Sequence, residues 1–377
     1  MKAVVAAYGR SPFHFAKKGR LASLRPDTMA AQVVQGLLQR CALDPALLED
    51  VMLGCAYPEA AQGSNLARIV GLLAGLPVSV GGVTVNRFCG SSMQAVHGAA
   101  AQIEAGMAEA VLCVGVESMT MVPQGGFSFS PHPRLAAETA AYIAMGQTAE
   151  NVAARWKVGR LDQEKLALGS HQKAAAARAQ GRLADEIVPV TLDDGTVVGE
   201  DGCIRPGTTL EALAALKPAF RPDGVVTAGT SSPLTDGAVA LLVTSDVFAS
   251  RHTLAPLARI RSFASVGVDP AVMGIGPVPA TRKALHRAGL MVGDLDVVEL
   301  HEAFASQVLA CSRELHLDPA IVNRDGGGLA IGHPLGASGA RIVGKAAALL
   351  VREQGRFALA TQCIGGGQGI ATVLERA

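Results

Sequence analysis

Two cysteines and one histidine occupy positions at which side chains commonly carry out chemistry. Cys89 lies in the stretch VNRFCGSSMQA, His333 in GGGLAIGHPLGASGARI and Cys363 in TQCIGGGQGIA. Thiols and imidazoles exchange protons near neutral pH, and the deprotonated thiol is a strong nucleophile. The three residues are therefore candidates for nucleophilic and acid–base catalysis.

The stretch around Cys89 leaves four roles open: a small buried side chain, half of a disulfide, a metal ligand or a nucleophile. Cys89 ends a predicted strand and opens a predicted helix, as the serine of a nucleophile elbow does. Because a helix N-terminus stabilises negative charge, we expect the pKa of the Cys89 thiol to be lowered. Gly90, Ser91 and Ser92 add little bulk and leave backbone N–H groups free to face an oxygen. The local sequence supports a buried thiol and a nucleophile equally.

The surroundings of His333 and Cys363 favour a functional role for both. Six glycines near His333 cost backbone entropy that an ordinary loop histidine does not require, and Pro334 disfavours helix at the histidine. Cys363, like Cys89, stands at the C-terminal end of a predicted strand, where ligands bind in open α/β sheets. His301, in the sequence HEAF, stands at an equivalent strand end. It is either an ordinary polar residue of a loop or part of the site.

Metal-binding and nucleotide-binding interpretations are weaker. The two cysteines and His333 lack a fourth ligand and the close pairs of zinc sites, so no metal is predicted. No GxGxxG follows the first strand and no GxxxxGK[ST] occurs, so no phosphate loop is predicted. The seven cysteines are odd in number and include no CxxC, which argues against a disulfide framework and favours a reducing compartment.

The elements that must position these residues alternate between strands and helices. This βαβα order predicts an α/β fold with a mostly parallel sheet and helices on both faces. Asp27 is the expected N-cap of the first helix. In the first third we predict strands AVVAAY, LEDVMLGCAY, VTVNRF and EAVLCVGVE and helices DTMAAQVVQGLLQRCAL, NLARIVGLLAGL and SMQAVHGAAAQIEAG. In the last third we predict helices PVPATRKALHRAGL and ASGARIVGKAAALLVREQG and strands DLDVVEL, FALATQC and GIATVLER.

The chain contains an internal repeat and one segment that interrupts the alternation of strands and helices. The tripeptide VNR occurs at 85–87 and 322–324, each time before a glycine-rich turn and a helix, which suggests two similar α/β/α halves. Residues 118–244 break the pattern with loops and helices, as an insertion that forms a lid or ligand clamp does. We predict an N-terminal half of residues 1–117 with 245–262, a loop domain of 118–244 and a C-terminal half of 263–377.

The composition is that of a well-buried α/β protein of more than one domain or subdomain. The chain has 377 residues, of which 49% are hydrophobic and 17% charged, and its net charge is +1. Such a balance gives no indication of a nucleic-acid or acidic-lipid partner. No apolar run reaches the ~18 residues of a membrane span, and the N-terminus resembles neither a secretory signal nor a presequence. A cytoplasmic location is expected.

Six motifs together resemble the thiolases, acyl-CoA C-acyltransferases. They are VNRFCGSSMQA, MGQTAENVAARW, TAGTSSPLTDGA, HEAFA, GGGLAIGHPLGASGARI and CIGGGQGIA. The resemblance runs from the first strand to the last and is greatest to the 3-ketoacyl-CoA thiolases of fatty-acid β-oxidation, which EIVPV, RPGTTLEALAALKPAF and GPVPAT also fit. It implies the five-layered thiolase fold of two halves with an inserted loop domain that binds coenzyme A.

The resemblance also implies roles for individual residues. Cys89 is then the acylated nucleophile, and His333 takes its proton and helps to hold an oxyanion. Cys363 protonates the departing acetyl-CoA enolate and later activates the incoming CoA thiol. His301 stands where many members have an asparagine that orients a water in an oxyanion hole, and the N–H groups of Cys89 and Gly365 form a second hole. Positions that contact CoA or line the acyl pocket correspond to Arg205, Phe220, Ala228, Ser232 and Met145.

The implied reaction is cleavage of a 3-ketoacyl-CoA by CoA, without a cofactor, through an acyl-Cys89 intermediate and ping-pong kinetics. Biosynthetic acetoacetyl-CoA thiolase is the alternative enzyme. A β-ketoacyl synthase uses one cysteine with two histidines, against which Cys363 argues, and a catalytically inactive scaffold is disfavoured by the intact set of Cys89, His333 and Cys363. The implied partners are a second copy or three further copies of the chain, and a hydratase/dehydrogenase subunit of β-oxidation.

Overall fold

Ten strands form one mixed sheet that carries the predicted site at its strand ends. The computed structural model describes residues 2–377. Nine strands follow the order β10-β11-β12-β9-β1-β8-β5-β3-β4, with β2 on β8, and β6 and β7 form a separate pair. The strands are β1 Ala3–Arg10, β2 His14–Phe15, β3 Asp50–Gly54, β4 Val83–Val85, β5 Ala110–Ser118, β6 Val190–Thr191, β7 Val197–Val198, β8 Thr235–Ser245, β9 Ala258–Gly267, β10 Val297–Leu300, β11 Phe357–Ile364 and β12 Gln368–Arg376.

Residues 2–377 also contain twelve α-helices. They are α1 Pro26–Cys41, α2 Leu66–Leu73, α3 Ser91–Glu104, α4 Pro133–Glu138, α5 Met145–Arg155, α6 Arg160–Ala179, α7 Leu210–Ala214, α8 Asp246–Arg251, α9 Pro277–Ala288, α10 Ala305–Leu315, α11 Gly328–Ile331 and α12 Leu335–Arg352. None of the helices in residues 2–377 is long and apolar enough to cross a bilayer.

The internal repeat is visible in the strand pairing. In the N-terminal half the order is β4-β3-β5-β8-β1, with parallel pairs β3·β4 and β3·β5 and antiparallel pairs after them. In the C-terminal half a bridge at Val322 takes the place of β4, and β10, β11, β12 and β9 follow in the same order and directions. The halves meet where β1 pairs antiparallel with β9 through Val4 and Val5.

The helices complete five layers. α1 and α2 pack on the outer face of the N-terminal half, and α9 packs on the outer face of the C-terminal half. α3 and α12 pack against each other between the halves, and α12 contacts β1, β5 and β8 on one side and β10, β11 and β12 on the other. The predicted five-layered α/β fold of two similar halves is therefore confirmed.

Two details of the prediction are wrong. The sheet is mixed rather than mostly parallel, because β8 and β12 run antiparallel to both of their neighbours. Asp27 is not the N-cap of α1: Pro26 is the first helical residue, Arg25 is the cap, and Asp27 forms an ion pair with Arg25 at 2.6 Å. Proline is well suited to the first helical position because its missing N–H would have no partner there.

The loop region between β5 and β8 reaches across to the other half. Its helices α5 and α6 contact α10 and α11 of the C-terminal half. The predicted domain limits remain a prediction, but β8 lies within the predicted 118–244 loop domain and pairs with β1 and β5 in the N-terminal sheet. β9 begins within the predicted 245–262 segment and pairs chiefly with β12 of the C-terminal half.

A buried network of charges ties β1 to the loop region and to α12. Arg10 is fully buried and donates to both carboxylate oxygens of Asp201 at 2.7 Å and to Glu186 at 2.9 Å. The Lys345 ammonium of α12 lies 3.0 Å from Glu186 and 2.8 Å from Asp325. Each buried charge thus has a partner of opposite sign, which is the condition for tolerating it in a low-dielectric interior.

Replacing Arg10 with methionine is expected to destabilise the protein by about 3–5 kcal/mol, because it leaves the Asp201 carboxylate buried without a cation. Urea unfolding followed by circular dichroism measures the loss. Arg251→Met is the matched control, since Arg251 pairs with Glu109 at 2.8 Å at the surface and exposed pairs contribute about 0–1 kcal/mol. Equal losses in the two variants would contradict the expectation.

Candidate active site

Cys89 lies on a strained turn between β4 and α3. Phe88 has a positive φ of 43°, a conformation that bulky residues rarely adopt. The Ser91 hydroxyl accepts from the Arg87 N–H at 2.9 Å and donates to the Phe88 carbonyl at 2.6 Å, which holds the turn closed. A Cβ on Gly90 would lie 2.5 Å from a side-chain carbon of Ile364, so glycine lets this turn approach β11. Such strain persists only where the surroundings fix the conformation.

Burial raises the pKa of the Cys89 thiol to about 11, although the backbone N–H groups of Gly365 and of Cys89 itself act to lower this pKa. The Glu117 carboxylate adds to the increase. The expectation of a lowered pKa from the helix N-terminus is therefore wrong, because desolvation of the thiolate outweighs the stabilising N–H groups. In the ligand-free protein Cys89 is a neutral thiol.

We expect alkylation of Cys89 by iodoacetamide to rise about tenfold per pH unit from pH 7 to pH 9, because only the thiolate reacts. Intact-mass measurement of the modified fraction, with glutathione as the reference thiol, gives the profile. An inflection at or below pH 8 would contradict a thiol pKa raised by burial.

His333 is held by hydrogen bonds on both its backbone and its ring. Its N–H donates to Thr235 Oγ1 at 3.0 Å, and its Nδ1 lies 2.6 Å from Ser338 Oγ. The Ser338 hydroxyl donates to the Pro334 carbonyl at 3.0 Å, so toward His333 it acts as an acceptor. The imidazole proton then resides on Nδ1, and Nε2 carries the free lone pair of a base. Burial lowers the pKa of His333 to about 3, so the ring is neutral at rest.

Replacing Ser338 with alanine should lower turnover about tenfold, because loss of one hydrogen bond of ~1–1.5 kcal/mol frees the other imidazole tautomer. Ser338→Thr restores the hydroxyl and should recover most of the rate. Steady-state kinetics of the two variants test this. Equal impairment of both would indicate a packing effect at α12 and not a loss of the hydroxyl.

His301 follows β10 and lies against His333. The two ring centroids are 4.0 Å apart with the planes tilted by 52°. Neither ring nitrogen of His301 has a partner among residues 2–377, although the ring is buried. Burial and the neighbouring His333 lower the pKa of His301 well below its ordinary value, so it is neutral. A neutral imidazole with one unused N–H and one unused lone pair is equipped to bind a polar atom of a ligand.

Cys363 ends the second strand of the site and lies near the first thiol. It is buried among Met145, Ala303 and Phe304. Burial, together with the nearby Cys89, raises the pKa of Cys363 well above its ordinary value. Two neutral thiols therefore converge at the strand ends of the two halves, one next to each glycine-rich turn.

The residues predicted to contact CoA or to line the acyl pocket fall into two groups, according to the part of the protein that they contact. Met145 lies at the N-terminus of α5, with its sulfur 3.3 Å from the Cβ position of Gly365. Phe220 packs edge-on against Phe304 with centroids 6.0 Å apart, and the Ser232 N–H donates to the Ala303 carbonyl at 2.9 Å. Ala228 is exposed at the start of a short turn, Ala228–Thr230, in the same segment. Met145, Phe220 and Ser232 thus contact the loop that carries His301.

Arg205 belongs to the second group. Its guanidinium lies 2.9 Å from His171 Nε2, and its backbone N–H donates to His171 Nδ1 at 3.2 Å. Within residues 2–377, no hydrogen bond joins Arg205 to the other four predicted contacts. Arg205 as a residue remains exposed, as a contact to a ligand at the surface requires.

Several residues at the site were not predicted from the sequence. Ser338 and Thr235 fix His333, and Gln362 donates through Nε2 to the Cys89 carbonyl. Glu117 lies fully buried at the end of β5. Glu302 accepts from Ser170 at 2.6 Å and from Asn323 at 2.8 Å, which fixes the His301 loop. A buried carboxylate at the end of an apolar strand, as in CVGVESM, is the one feature that could have drawn attention to Glu117.

Comparisons with known proteins agree with this geometry. The thiolase N-terminal domain model matches residues 3–247, and the thiolase C-terminal domain model matches residues 254–376. The chain belongs to the thiolase family. It is 48% identical to the 3-ketoacyl-CoA thiolases of Shewanella sp. (strain W3-18-1) and Shewanella baltica (strain OS155), over 100% of this chain and 99% of each relative. It is 43% identical to the 3-ketoacyl-CoA thiolase of Bacillus subtilis over 99% of both chains.

Two thiols and a neutral imidazole are groups that suit the exchange of one thioester for another. Residues 2–377 contain no cluster of three or more histidines, cysteines or carboxylates arranged to hold a metal ion.

Proposed function

We propose that the protein is an acyltransferase that cleaves 3-ketoacyl-CoA with CoA, giving acetyl-CoA and an acyl-CoA shortened by two carbons. The observation that carries the proposal is the contact of the Cys89 turn with the two residues that flank Cys363. Gln362 Nε2 donates to the Cys89 carbonyl, and a Cβ on Gly90 would lie 2.5 Å from a side-chain carbon of Ile364. These contacts bring the thiol-bearing turns of the two halves together. The relatives at 43–48% identity bear the name of this activity over their full length.

The first half-reaction acylates Cys89. His333 Nε2 takes the thiol proton as Cys89 Sγ attacks the 3-keto carbon, and the carbon–carbon bond breaks to give the acetyl-CoA enolate. Cys363 gives its proton to the enolate carbon, so acetyl-CoA leaves and the acyl group stays on Cys89. Because His333 and both thiols are neutral at rest, charge appears only during the reaction and not in the ligand-free site.

The second half-reaction transfers the acyl group. The Cys363 thiolate takes the proton of the incoming CoA thiol, which attacks the acyl carbon, and Cys89 leaves and recovers its proton from His333. Each half-reaction passes through an oxyanion that needs donors placed in advance. The N–H groups of Cys89 and Gly365 serve one oxyanion, and His301 with His333 serves the other. Loss of one such donor typically costs ~10²–10³-fold in rate.

Coenzyme A is a substrate in this scheme and not a resident cofactor. We propose that Ser232, Ala228 and Phe220 line its pantetheine side, that Arg205 meets its nucleotide end, and that Met145 borders the acyl chain. The exposure of Arg205 supports a contact with a part of CoA that lies at the protein surface. We further propose a cytoplasmic homodimer or homotetramer that can pair with a hydratase/dehydrogenase subunit.

The test is an assay of purified protein with CoA and 3-ketoacyl-CoAs of increasing chain length, in which loss of the 3-keto absorbance is followed. Turnover that extends beyond acetoacetyl-CoA supports the degradative reaction. Turnover of acetoacetyl-CoA alone would favour the biosynthetic condensation instead. No turnover at any chain length would overturn the proposal. Double-reciprocal plots of the rate against 3-ketoacyl-CoA at several CoA concentrations should be parallel, and intersecting lines would conflict with the ping-pong scheme.

A further inference from the structure

Glu117 is a buried carboxylate that the reaction scheme does not use. It lies at the end of β5 and is fully buried. No Arg, Lys or His of residues 2–377 forms an ion pair with it. Burying a charge without a cation is costly unless hydrogen bonds stabilise it, so its partners indicate what it is for.

Those partners are N–H groups from two separate turns. Oε2 accepts from the backbone N–H of Ala56 and of Gly336, both at 2.8 Å. Oε1 accepts from the Tyr57 N–H at 3.2 Å and from Gln62 Nε2 at 2.9 Å. Four N–H donors thus converge on the carboxylate, which offers four lone-pair positions, and the weaker Cys55 S–H donor lies 3.7 Å from Oε1. A glutamine would point its own NH₂ group at two of these donors.

One of the two turns leads to the nucleophile. The Ala56 carbonyl accepts from Asn86 Nδ2 at 3.0 Å, and Asn86 Oδ1 accepts from the Phe88 N–H at 2.8 Å. Phe88 is the residue with positive φ that sets the direction of Cys89. The Tyr57 ring also packs against the Phe88 ring with centroids 6.0 Å apart. Glu117 therefore supports the strained turn through two intermediate contacts.

The other turn leads to the base. Gly336 lies in the first turn of α12, between His333 and the Ser338 hydroxyl that orients it. A Cβ at Gly336 would lie 2.8 Å from the Glu117 carboxylate, so glycine is needed for this approach. A single side chain thus holds the turn of the thiol and the turn of the imidazole, which come from different halves of the chain.

We propose that Glu117 is a positioning residue that sets the placement of His333 relative to Cys89. This inference rests on the proposed function of those two residues. A displacement of about 1 Å between reacting groups can cost ~10²-fold in rate, so loss of the shared anchor should slow the acylation of Cys89 without changing the contacts to CoA.

The test combines turnover with thiol reactivity in Glu117→Gln. We expect kcat to fall by about 10–100-fold, with the KM for CoA within about twofold of wild type. Removing the negative charge should also shift the alkylation profile of Cys89 to lower pH, since Glu117 raises the pKa of that thiol. The other ionisable groups that face or sense Glu117 are the Cys55 thiol, 3.7 Å away, and the Tyr57 phenol. A thiol that ionises more readily yet reacts more slowly with substrate is the signature of a misplaced base.

The matched control is Glu109→Gln, a carboxylate near the other end of β5 that pairs with Arg251 at the surface. It should leave both readouts at wild-type values. Wild-type kcat in Glu117→Gln would overturn the inference, whereas an inactive wild-type protein would overturn the proposed function itself.

A second variant keeps the test decisive where Glu117→Gln does not fold. Asn86 is exposed, so Asn86→Ala is compatible with folding, and it cuts the path from Glu117 to Phe88. We expect about a tenfold slower burst of acyl-enzyme in rapid-quench intact mass, with unfolding by urea unchanged. A wild-type burst rate in this variant would contradict the path to the nucleophile.

Discussion

Replacing Cys89 with alanine should abolish the acyl-enzyme and reduce thiolysis by about 10⁶-fold, as removal of a catalytic nucleophile does elsewhere. Cys89 is the thiol on the strained turn after β4, whose carbonyl accepts from Gln362 Nε2 beside Cys363. Without it, no atom at this position can hold the acyl group while acetyl-CoA leaves. Intact mass after mixing with a 3-ketoacyl-CoA should show no adduct, and the steady-state assay should fall to background.

The control for this variant is Cys41→Ala. Cys41 is a half-buried thiol at the end of α1, and burial raises its pKa also, so it matches Cys89 in chemical type but not in surroundings. Its removal should leave the adduct and the rate unchanged. An adduct retained in Cys89→Ala would move the nucleophile to another residue, and the half-reactions described above would have to be reassigned.

Those features of the fold that depend on local sequence patterns could be predicted, namely individual strands and helices and the division into two halves. Apolar runs such as that of β5 and amphipathic stretches such as that of α1 identified elements, and the repeated VNR suggested two halves. The antiparallel course of β8 could not be read from its apolar sequence, because a strand buried on both faces has the same pattern in either direction. Its position after a long insertion also hid its place in the first sheet.

The structure explains why the tripeptide VNR occurs in both halves. In the first half, the amide of Asn86 binds the Ala56 carbonyl in the loop after β3. In the second half, the amide of Asn323 donates to the Leu300 carbonyl at 2.8 Å and to Glu302 at 2.8 Å in the loop after β10. The same residue thus braces the equivalent loop in both halves, and in the second half that loop bears His301.

The site could be predicted in its residue types but not in its electrostatics. Proximity of Cys89 to a helix N-terminus suggested a thiolate, yet the balance with desolvation depends on packing that a local sequence does not contain. Likewise, the partners of His333 come from β8 and α12, which lie far apart along the chain. The desolvation of Cys89 and the hydrogen bonds of His333 therefore exist only in the folded protein, where the two halves are in contact.

Substitution of Cys363 is expected to have the second large effect on the rate. The reaction scheme predicts that this substitution slows one step, the cleavage of the carbon–carbon bond. Replacing Cys363 with alanine should slow carbon–carbon cleavage by about 10²–10⁴-fold, the usual contribution of a positioned acid. The departing group in that step is a carbon anion, which is far more basic than the CoA thiolate that leaves when an acyl-CoA acylates Cys89 by simple thioester exchange. A thiolate can depart near neutral pH without a proton donor, whereas the enolate carbon cannot.

Two substrates that deliver the same acyl group separate these steps in Cys363→Ala. Transfer of hexanoyl to Cys89 from 3-ketooctanoyl-CoA requires carbon–carbon cleavage, and transfer from hexanoyl-CoA does not. Rapid-quench intact mass should show the first strongly slowed and the second much less so. Cys311→Ala, which removes a buried thiol that donates to the Gly274 carbonyl at 3.2 Å, is the control and should alter neither. Equal slowing from both donors would mean that Cys363 shapes the pocket and does not supply the proton, because only proton supply distinguishes a carbon leaving group from a sulfur one.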